Sequence, residues 1–588
     1  MKLSDYIAKF LVNKEVHKVF VLTGGCILHC IDSIAKTEGI EYIPVQNEQA
    51  GAMAADGYAR VSGKLGVAMA TSGPGATNLL TGVCCSYYDS IPVMIITGQV
   101  PTSQLKRDSL SRQIGFQETD VVSIFKPITK YAVLIDDPQK IRYELEKAFY
   151  IAFNGRPGPV LLDICDDIQR AEIEPEKLIG YNIQDVAITD SVLKLNQLLS
   201  MIGFAKRPVF IVGSAVRLAD ISVKVEKFLS KVKIPYTLTW GAMDTLTQES
   251  QFYVGSFGVT SGRPGNFAVQ NADLLIAFGT RLDTHEAGTN LKSFGRAAKK
   301  VVIDIDQSEL DKHQKMGLNA DLLINDDVRN VIDFLLANVQ SEWTDSENWL
   351  TYIAEWKSKY PICLPEYSLQ EKYVNPYVFM EALSEAAHPE AVIVSDCGSN
   401  LIWTMQGFKL KNGQRLISAF NHSPMGYSLP AVIGTFFASP EKEHICIIGD
   451  GGMQINVQEL ATIEKYNINV KIFILNNHGH GIIQGTQDNW LHSRYHASNP
   501  TEGGLPDPDF IKISEAYGIP TFEISEQSNL INKLKNVLNA NGPIVCVVHM
   551  QSGSQIAPKL LYGKPIEDPD PLLSRDEFNK NMIIPPLN

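Results

Sequence analysis

At 588 residues the chain is long enough for two to four domains. Its 45% hydrophobic and 20% charged residues are those of an ordinary folded protein, which excludes a disordered or fibrous one. A net charge of −13 argues against a broad nucleic-acid surface but leaves room for a local phosphate site.

The amino-terminal MKLSDYIAKFLVNKEVHKVFVL reads as an amphipathic helix and then a strand, with no uninterrupted apolar h-region and no small-residue cleavage site. No apolar run approaches membrane-spanning length. Nine scattered cysteines, an odd number without Cys-x-x-Cys spacing, fit free thiols in a reducing compartment. A cytoplasmic protein with no membrane or nucleic-acid partner is expected.

Over residues 1–180 short apolar strands alternate with helical stretches: KVFVL, EYIPV, LGVAMAT, PVMIIT and PVLLDI. That alternation predicts a parallel sheet with helices on both faces. Within it, PVQNEQAGAMAADGYAR ends a strand and opens a helix at Glu48. A first-turn glutamate favoured by the helix dipole is the plain reading. A buried strand-end carboxylate that bonds a ring nitrogen is the functional one. Next, ATSGPGATNLL places Gly73, Pro74 and Gly75 in a tight turn into a helix, and IGFQETDVVSIFKPITKYA carries Phe116, Gln117 and Lys130. The polar EPEKLIGYNIQDVAITD reads as a linker.

A second α/β run, 190–345, holds RPVFIVG, IPYTLT, DLLIAFG and KVVIDID. A charged stretch with Trp343, Trp349 and Trp356 and a second linker follow. The third run, 370–555, holds AVIVSD, ICIIGD, VKIFILNN and PIVCVVHM. The tail, 556–588, is rich in proline and charge and reads as an extended arm packed on a neighbour. Three doubly wound parallel-sheet α/β domains are therefore expected. Such folds host many functions, so the sites must decide.

The sharpest site lies in GDGGMQINVQELATIEKYNINVKIFILNN, residues 449–477. Asp450 and Asn477 each follow a buried strand, and open parallel sheets bind ligands beyond the carboxyl ends of their strands. Oxygen donors there suit Mg²⁺, which takes few protein ligands plus phosphate oxygens. Gly449, Gly451 and Gly452 let a phosphate approach the backbone, and the helix NVQELATIEKY is expected to aim its N-terminus at it. Turn punctuation alone explains Gly-Asp-Gly; it does not explain Asn-Asn closing the next strand.

Together these stretches resemble the thiamine-diphosphate-dependent enzymes, over nearly the whole chain and in the order pyrimidine-binding, central and diphosphate-binding domain. The resemblance implies that Asp450, Asn477 and the Gly479 carbonyl bind Mg²⁺. It implies that Glu48 bonds the aminopyrimidine ring of thiamine diphosphate and manages its proton. Met425, in FNHSPMGYSLPAVIG, would prop the cofactor in its bent form. Gly25, Pro74, Asn78, Gly398, Ser399, Asn400, Gly449, Gly451 and Gly452 are the further cofactor contacts it implies. Asn47 stands where the family usually has histidine. The acetohydroxyacid synthase branch is the most similar: Phe116 and Gln117 match a Phe-Gln pair at its active site, and Lys130 a lysine near its substrate entrance. That branch binds FAD in the central domain, where IVGSAVR, GTRLD and VVIDID resemble the contacts and Arg281 would face the phosphates. A homodimer or homotetramer is implied too, because in the family the pyrimidine domain of one subunit meets the diphosphate domain of another.

The chain also departs from that branch. Where biosynthetic members read Arg-Phe-Asp-Asp-Arg it has GTRLDTHEAG, with Arg281 kept and His285 replacing an arginine that assists the acceptor keto acid. Gly255-Ser256-Phe257-Gly258 replaces Gly-Met-His-Gly, and the pocket tryptophan falls at Gly485 or Thr486. These changes predict a roomier acceptor pocket, less selective for a carboxylate. The expected function is a carboligase that decarboxylates a 2-keto acid, pyruvate, and transfers the two-carbon unit to a bulky carbonyl such as a keto-sugar, similar to yersiniose-type relatives. The alternatives are a true acetolactate synthase and a plain 2-keto acid decarboxylase. The last would carry paired histidines near the N-terminus, where this chain has an isolated His29.

Overall fold

The computed structural model describes residues 1–107, 109–183, 191–339, 342–345 and 347–587, so the far end of the first linker lies outside the described residues. The strands fall into three six-stranded parallel sheets, as expected from the alternation of apolar runs with helices. The first contains β1 (Lys18–Val21), β2 (Glu41–Pro44), β3 (Gly66–Ala70), β4 (Val93–Gln99), β5 (Tyr131–Ile135) and β6 (Val160–Cys165) in the order β2-β1-β3-β4-β6-β5. Every residue of β3, β4 and β6 is buried, the pattern of strands covered on both faces.

The central sheet contains β7 (Pro208–Val212), β8 (Tyr236–Leu238), β9 (Tyr253–Ser256), β10 (Leu274–Phe278), β11 (Lys299–Asp304) and β12 (Leu322–Asn325). Its order, β12-β11-β10-β7-β8-β9, reverses between β7 and β10 and so leaves a crevice at their carboxyl ends. The third sheet contains β13 (Val392–Ser395), β14 (Arg415–Ile417), β15 (His444–Gly449), β16 (Val470–Asn476), β17 (Thr521–Ile524) and β18 (Ile544–His549). Its order, β14-β13-β15-β16-β18-β17, repeats that of the first sheet.

The first and third units meet through helices Glu48–Ser62 and Ser428–Ala438. Glycine permits the approach: a Cβ on Gly57 would lie 2.3 Å from the Ala431 carbonyl, and one on Gly434 1.8 Å from that of Ala54. A buried polar seam runs beside them. Arg60 binds Asp56 (2.6 Å) and Asp89 (2.8 Å), and Tyr427 donates its hydroxyl to Asp56. Arg415 extends the seam to Asp244 of the central unit at 2.6 Å. Among the described residues no helix is long and apolar enough to cross a membrane.

The tail packs on the central unit of its own chain. Arg263 donates to the carbonyls of Pro569 and Pro571, Gln270 and Arg296 hold Glu567, and Trp356 Nε1 donates to Asn581 at 3.0 Å. Helix Arg263–Asn271 is buried along its whole length, polar side chains included. Those side chains need partners, and the tail supplies them for Arg263, Gln270 and Asn271, while Asn266 bonds the Gly258 backbone.

Candidate active site

β15 and β16 pair in register from His444↔Val470 to Gly449↔Leu475, which sets Asp450 and Asn477 beside each other at the carboxyl edge of the third sheet. Both are buried. Asp450 accepts from the amides of Gly451 and Gly479, each at 2.7 Å. Burial pushes its carboxyl above the usual range, and those two amides oppose the shift. The helix that starts here is Asp450–Ile455, not the expected NVQELATIEKY. At Asn456 the chain breaks into a 3₁₀ turn (Val457–Glu459) and a separate helix (Leu460–Lys465). The Asn456 side chain is drawn away to the Gly426 carbonyl at 2.8 Å.

The glycines around Asp450 lie where a side chain would collide. A Cβ on Gly451 would sit 2.7 Å from the His480 ring and 2.9 Å from Met425 Cε. On Gly452 it would meet Asp396 at 2.7 Å, on Gly449 Asn400 at 3.2 Å, and on Gly481 both Asn477 (2.5 Å) and Ser399 (3.2 Å). Gly479 has φ +151°, and a Cβ there would strike Gln484 Nε2 at 2.4 Å. Gly398, at φ +86°, caps the helix that carries Ser399 and Asn400. Thus Gly398, Ser399, Asn400, Met425, Gly449, Asp450, Gly451, Gly452, Asn477 and Gly479 form one cluster.

Two members of this cluster were not singled out from the sequence. His480 lies against Gly451 and Met425. Asp396, at the end of β13, is fully buried and accepts from the amides of Gly426 and Ser428 (both 2.9 Å) and from the Ser428 hydroxyl (3.1 Å). It therefore fixes the turn that presents Met425. Burial raises its carboxyl to about 6. The available signal was an aspartate ending the apolar run AVIVSD, the same pattern that marks Asp450 in ICIIGD.

The second cluster belongs to the first sheet. Asn47 caps helix Glu48–Ser62 by accepting from the Gln49 amide at 2.8 Å, a structural task that suits asparagine. Glu48 is buried, and its carboxylate accepts from Asn78 Nδ2 at 2.9 Å. A Cβ on Gly75 would lie 3.3 Å from Glu48 Oε1, and one on Gly73 2.8 Å from the Gln117 carbonyl. Glu48, Pro74, Asn78 and Gln117 are therefore neighbours. Gly25 faces open space at the rim; the tight position is Gly24, whose Cβ would lie 2.4 Å from Thr71. Lys130 stands elsewhere. Its ammonium donates to the carbonyls of Ile151 and Asn154 at the end of helix Ile141–Phe153, and burial lowers it to about 8. Among the described residues, no hydrogen bond or ion pair joins the Glu48 cluster directly to Asp450 within one chain.

The donor set at Asp450 fits a magnesium diphosphate: carboxylate, amide and carbonyl oxygens beside glycines that admit a phosphate. The central unit offers a different site. A cavity of about 910 Å³ opens at the crevice between β7 and β10, lined by Ser214, Arg217, Trp240, Arg281 and His285 among others. A Cβ on Gly213 would lie 2.0 Å from the Gly279 carbonyl, so the two strand ends touch. Arg217 Nε, Trp240 Nε1 and Arg281 Nε are buried there without hydrogen-bond partners. Orphaned donors around so large a space suit a polar ligand of dinucleotide size, and FAD is one. His285 bonds Thr260 Oγ1 at 3.0 Å and packs on Trp240 with ring centres 4.0 Å apart. Burial lowers its imidazole below the ordinary 6.5, and the Asp283 carboxylate opposes the shift. Gly485 is not an opening, because Lys559 of the tail covers it, whereas Thr486 is exposed.

Three family models match the chain. The thiamine pyrophosphate enzyme N-terminal TPP binding domain matches residues 1–124, the central domain 195–335 and the C-terminal TPP binding domain 396–548. The acetolactate synthase large subunit of Cyanidium caldarium is 32% identical over 575 residues, covering 94% of each chain. That of Parasynechococcus marenigrum is 34% identical, covering 93% of this chain and 87% of its own. The acetolactate synthase of Arthrospira platensis is 34% identical, covering 93% and 94%.

Proposed function

We propose a reaction for this chain, which belongs to the thiamine pyrophosphate enzymes: it decarboxylates pyruvate and joins the two-carbon unit to a second carbonyl. The carrying observation is the Glu48–Asn78 pair at one sheet edge and Asp450 beside Asn477 at another, in a chain similar along nearly its whole length to acetolactate synthases. The relatives favour a second 2-keto acid as the acceptor. Acetolactate formation therefore takes precedence over the keto-sugar transfer expected from the sequence. The keto-sugar stays as a second reading because His285 is half-buried with its imidazole held below the ordinary value, and Thr486 is exposed.

When bound, thiamine diphosphate supplies the electron sink for decarboxylation. Glu48 holds and moves the proton at the aminopyrimidine nitrogen, and Asn78 fixes the orientation of its carboxylate. Asp450, Asn477 and the Gly479 carbonyl hold Mg²⁺, while the amides of the Gly449–Gly452 turn take the diphosphate. Met425, positioned by the grip of Asp396 on Gly426 and Ser428, would pack against the cofactor and hold it in its bent form. Arg217, Trp240 and Arg281 hold FAD in the central cavity; a yellow purified protein would support that assignment. The chain works in the cytoplasm as a homodimer or homotetramer, with the Glu48 cluster of one copy completing the Asp450 cluster of another.

The test is isotope-labelled pyruvate with Mg²⁺ and thiamine diphosphate, alone and with nucleotide-linked keto-sugars, and products read by mass. Acetolactate without sugar product supports the leading reading. Sugar product without acetolactate supports the second, and restoring arginine by His285→Arg should then raise acetolactate formation. Acetaldehyde alone, or no decarboxylation, overturns both.

A further inference from the structure

The chain's two departures around the acceptor pocket, His285 and Gly485, meet at one stretch of the tail. The His285 carbonyl accepts from the Val259 amide (2.9 Å), and the Val259 carbonyl accepts from the Leu560 amide (2.7 Å). Gln406 Nε2 donates to the carbonyls of Thr260 (3.0 Å) and Pro558 (2.8 Å). Thr260 in turn bonds the His285 ring. Residues 558–560 are thus stitched to the turn that holds His285. Between them, the Lys559 side chain reaches helix Gly481–Leu491, where its Nζ lies 3.3 Å from the place a Cβ on Gly485 would occupy. The missing side chain at 485 is what makes room for it.

That helix leads back to the reaction site. Gly481 touches Asn477 and Ser399. Ile482, one turn before Gly485 on the same face, lines the cavity together with His285. Four residues of helix rise separate Gly481 from Gly485, about 6 Å. Of the tail carboxylates, Glu567 is engaged by Arg296 and Asp568 by Arg575, and Asp570, whose backbone pairs with that of Lys559, is not ion-paired with its ammonium. Lys559 is half-buried, and among the described residues its ammonium makes no ion pair or hydrogen bond.

We propose that Lys559 binds the anionic group of the acceptor, a carboxylate or a phosphate, a role that rests on the carboligase reading above. His285, half-buried and with its imidazole held below the ordinary value by desolvation, is a poorer source of positive charge than the arginine it replaces. An ammonium on a flexible stem attracts either anion as a point charge, with less geometric demand than a guanidinium. Lys559 makes and breaks no covalent bond; it sets which acceptor is taken.

The experiment compares the intact enzyme with Lys559→Gln and Lys559→Arg, using pyruvate as donor and three acceptors: 2-ketobutyrate, a nucleotide-linked keto-sugar and neutral benzaldehyde. The expected result is a drop of about 10- to 100-fold in kcat/KM for the anionic acceptor relative to benzaldehyde in Lys559→Gln, the range of a lost charge-assisted hydrogen bond. Lys559→Arg should restore most of the ratio. The acceptor whose KM rises identifies carboxylate or phosphate as the source. An unchanged ratio, or equal loss with benzaldehyde at an unchanged melting temperature, overturns the proposal. Failure of the intact enzyme to decarboxylate pyruvate would instead overturn the reaction itself and is read separately as carbon dioxide release.

Discussion

The first and third sheets have the same strand order and a different chemistry at their edges. In the first, the strand β2 runs into helix Glu48–Ser62, and the polar group presented is one carboxylate oriented by one amide. In the third, β15 and β16 end side by side and present a carboxylate, an amide and a glycine-rich turn. A single glutamate suits proton handling, and a set of hard oxygens suits a cation with its phosphates. Under the proposed reaction one scaffold would serve two tasks, decided by the polar residues placed after the strands. The central sheet, wound in another order, carries neither task and keeps a cavity at its switch point instead.

If the two edges divide the work in this way, they fail differently. Glu48→Gln should lower decarboxylation by about 10²- to 10⁴-fold, the usual value of a general acid–base group, while thiamine diphosphate still binds. Calorimetry beside carbon dioxide release would separate the two quantities. Asp450→Ala should do the reverse, with binding itself lost. Outer-sphere partners of a metal already contribute about 10- to 100-fold in affinity, and a direct ligand should exceed that. Unchanged magnesium dependence of binding in this variant would remove Asp450 from the metal.

The sequence reveals these two edges because Asp450 and the Asn476-Asn477 pair close apolar runs and Glu48 comes three residues after EYIPV, so chain order places them. It reveals less where the partner is distant. The importance of Asp396 rests on amides at Gly426 and Ser428, which only the fold brings to it. Lys130 looks like a cation free to meet substrate until helix Ile141–Phe153 is seen to offer it carbonyls. The sequence reads the tail as a packed arm without naming its partners, because these, Arg263, Gln270 and Asn271, sit on a helix about 300 residues earlier in the chain. The expected helix NVQELATIEKY starts one residue late and with a 3₁₀ turn for the same kind of reason, because its first asparagine is drawn off by Gly426.

A smaller effect concerns how the third unit holds its own turn. Asp396→Ala would leave the Gly426 and Ser428 amides without their acceptor, each costing about 1–3 kcal/mol if it stays unpaired. Lower stability in urea with weakened thiamine diphosphate binding is the expected pair of results. Stability loss with normal binding would make Asp396 a packing residue only.

The smallest expected effect lies at the joint between the two edges. Glu459 of the third unit accepts from the Gln46 amide at 2.9 Å, two residues before Glu48, and burial raises its carboxyl from 4.5 to about 7. A raised carboxyl means that the folded state holds a proton the unfolded state has released. The stabilisation is full below pH 4.5 and is lost as pH rises through 7. Glu459→Gln should remove that decline, which amounts to at most about 1.4 kcal/mol per pH unit. Denaturant midpoints measured from pH 4.5 to 8 would show a flatter profile in the variant. An unaltered slope would place the titration elsewhere.

The division of labour between two copies is tested most directly by mixing the two inactive variants. Glu48→Gln and Asp450→Ala chains, unfolded together and reassembled, should form hybrids in which one site has an intact Glu48 from one copy and an intact Asp450 from the other. Random pairing into symmetric dimers then restores about a quarter of the unmodified rate. Hybrids that assemble in the expected proportion yet stay inactive would contradict the account and place the whole site within one chain.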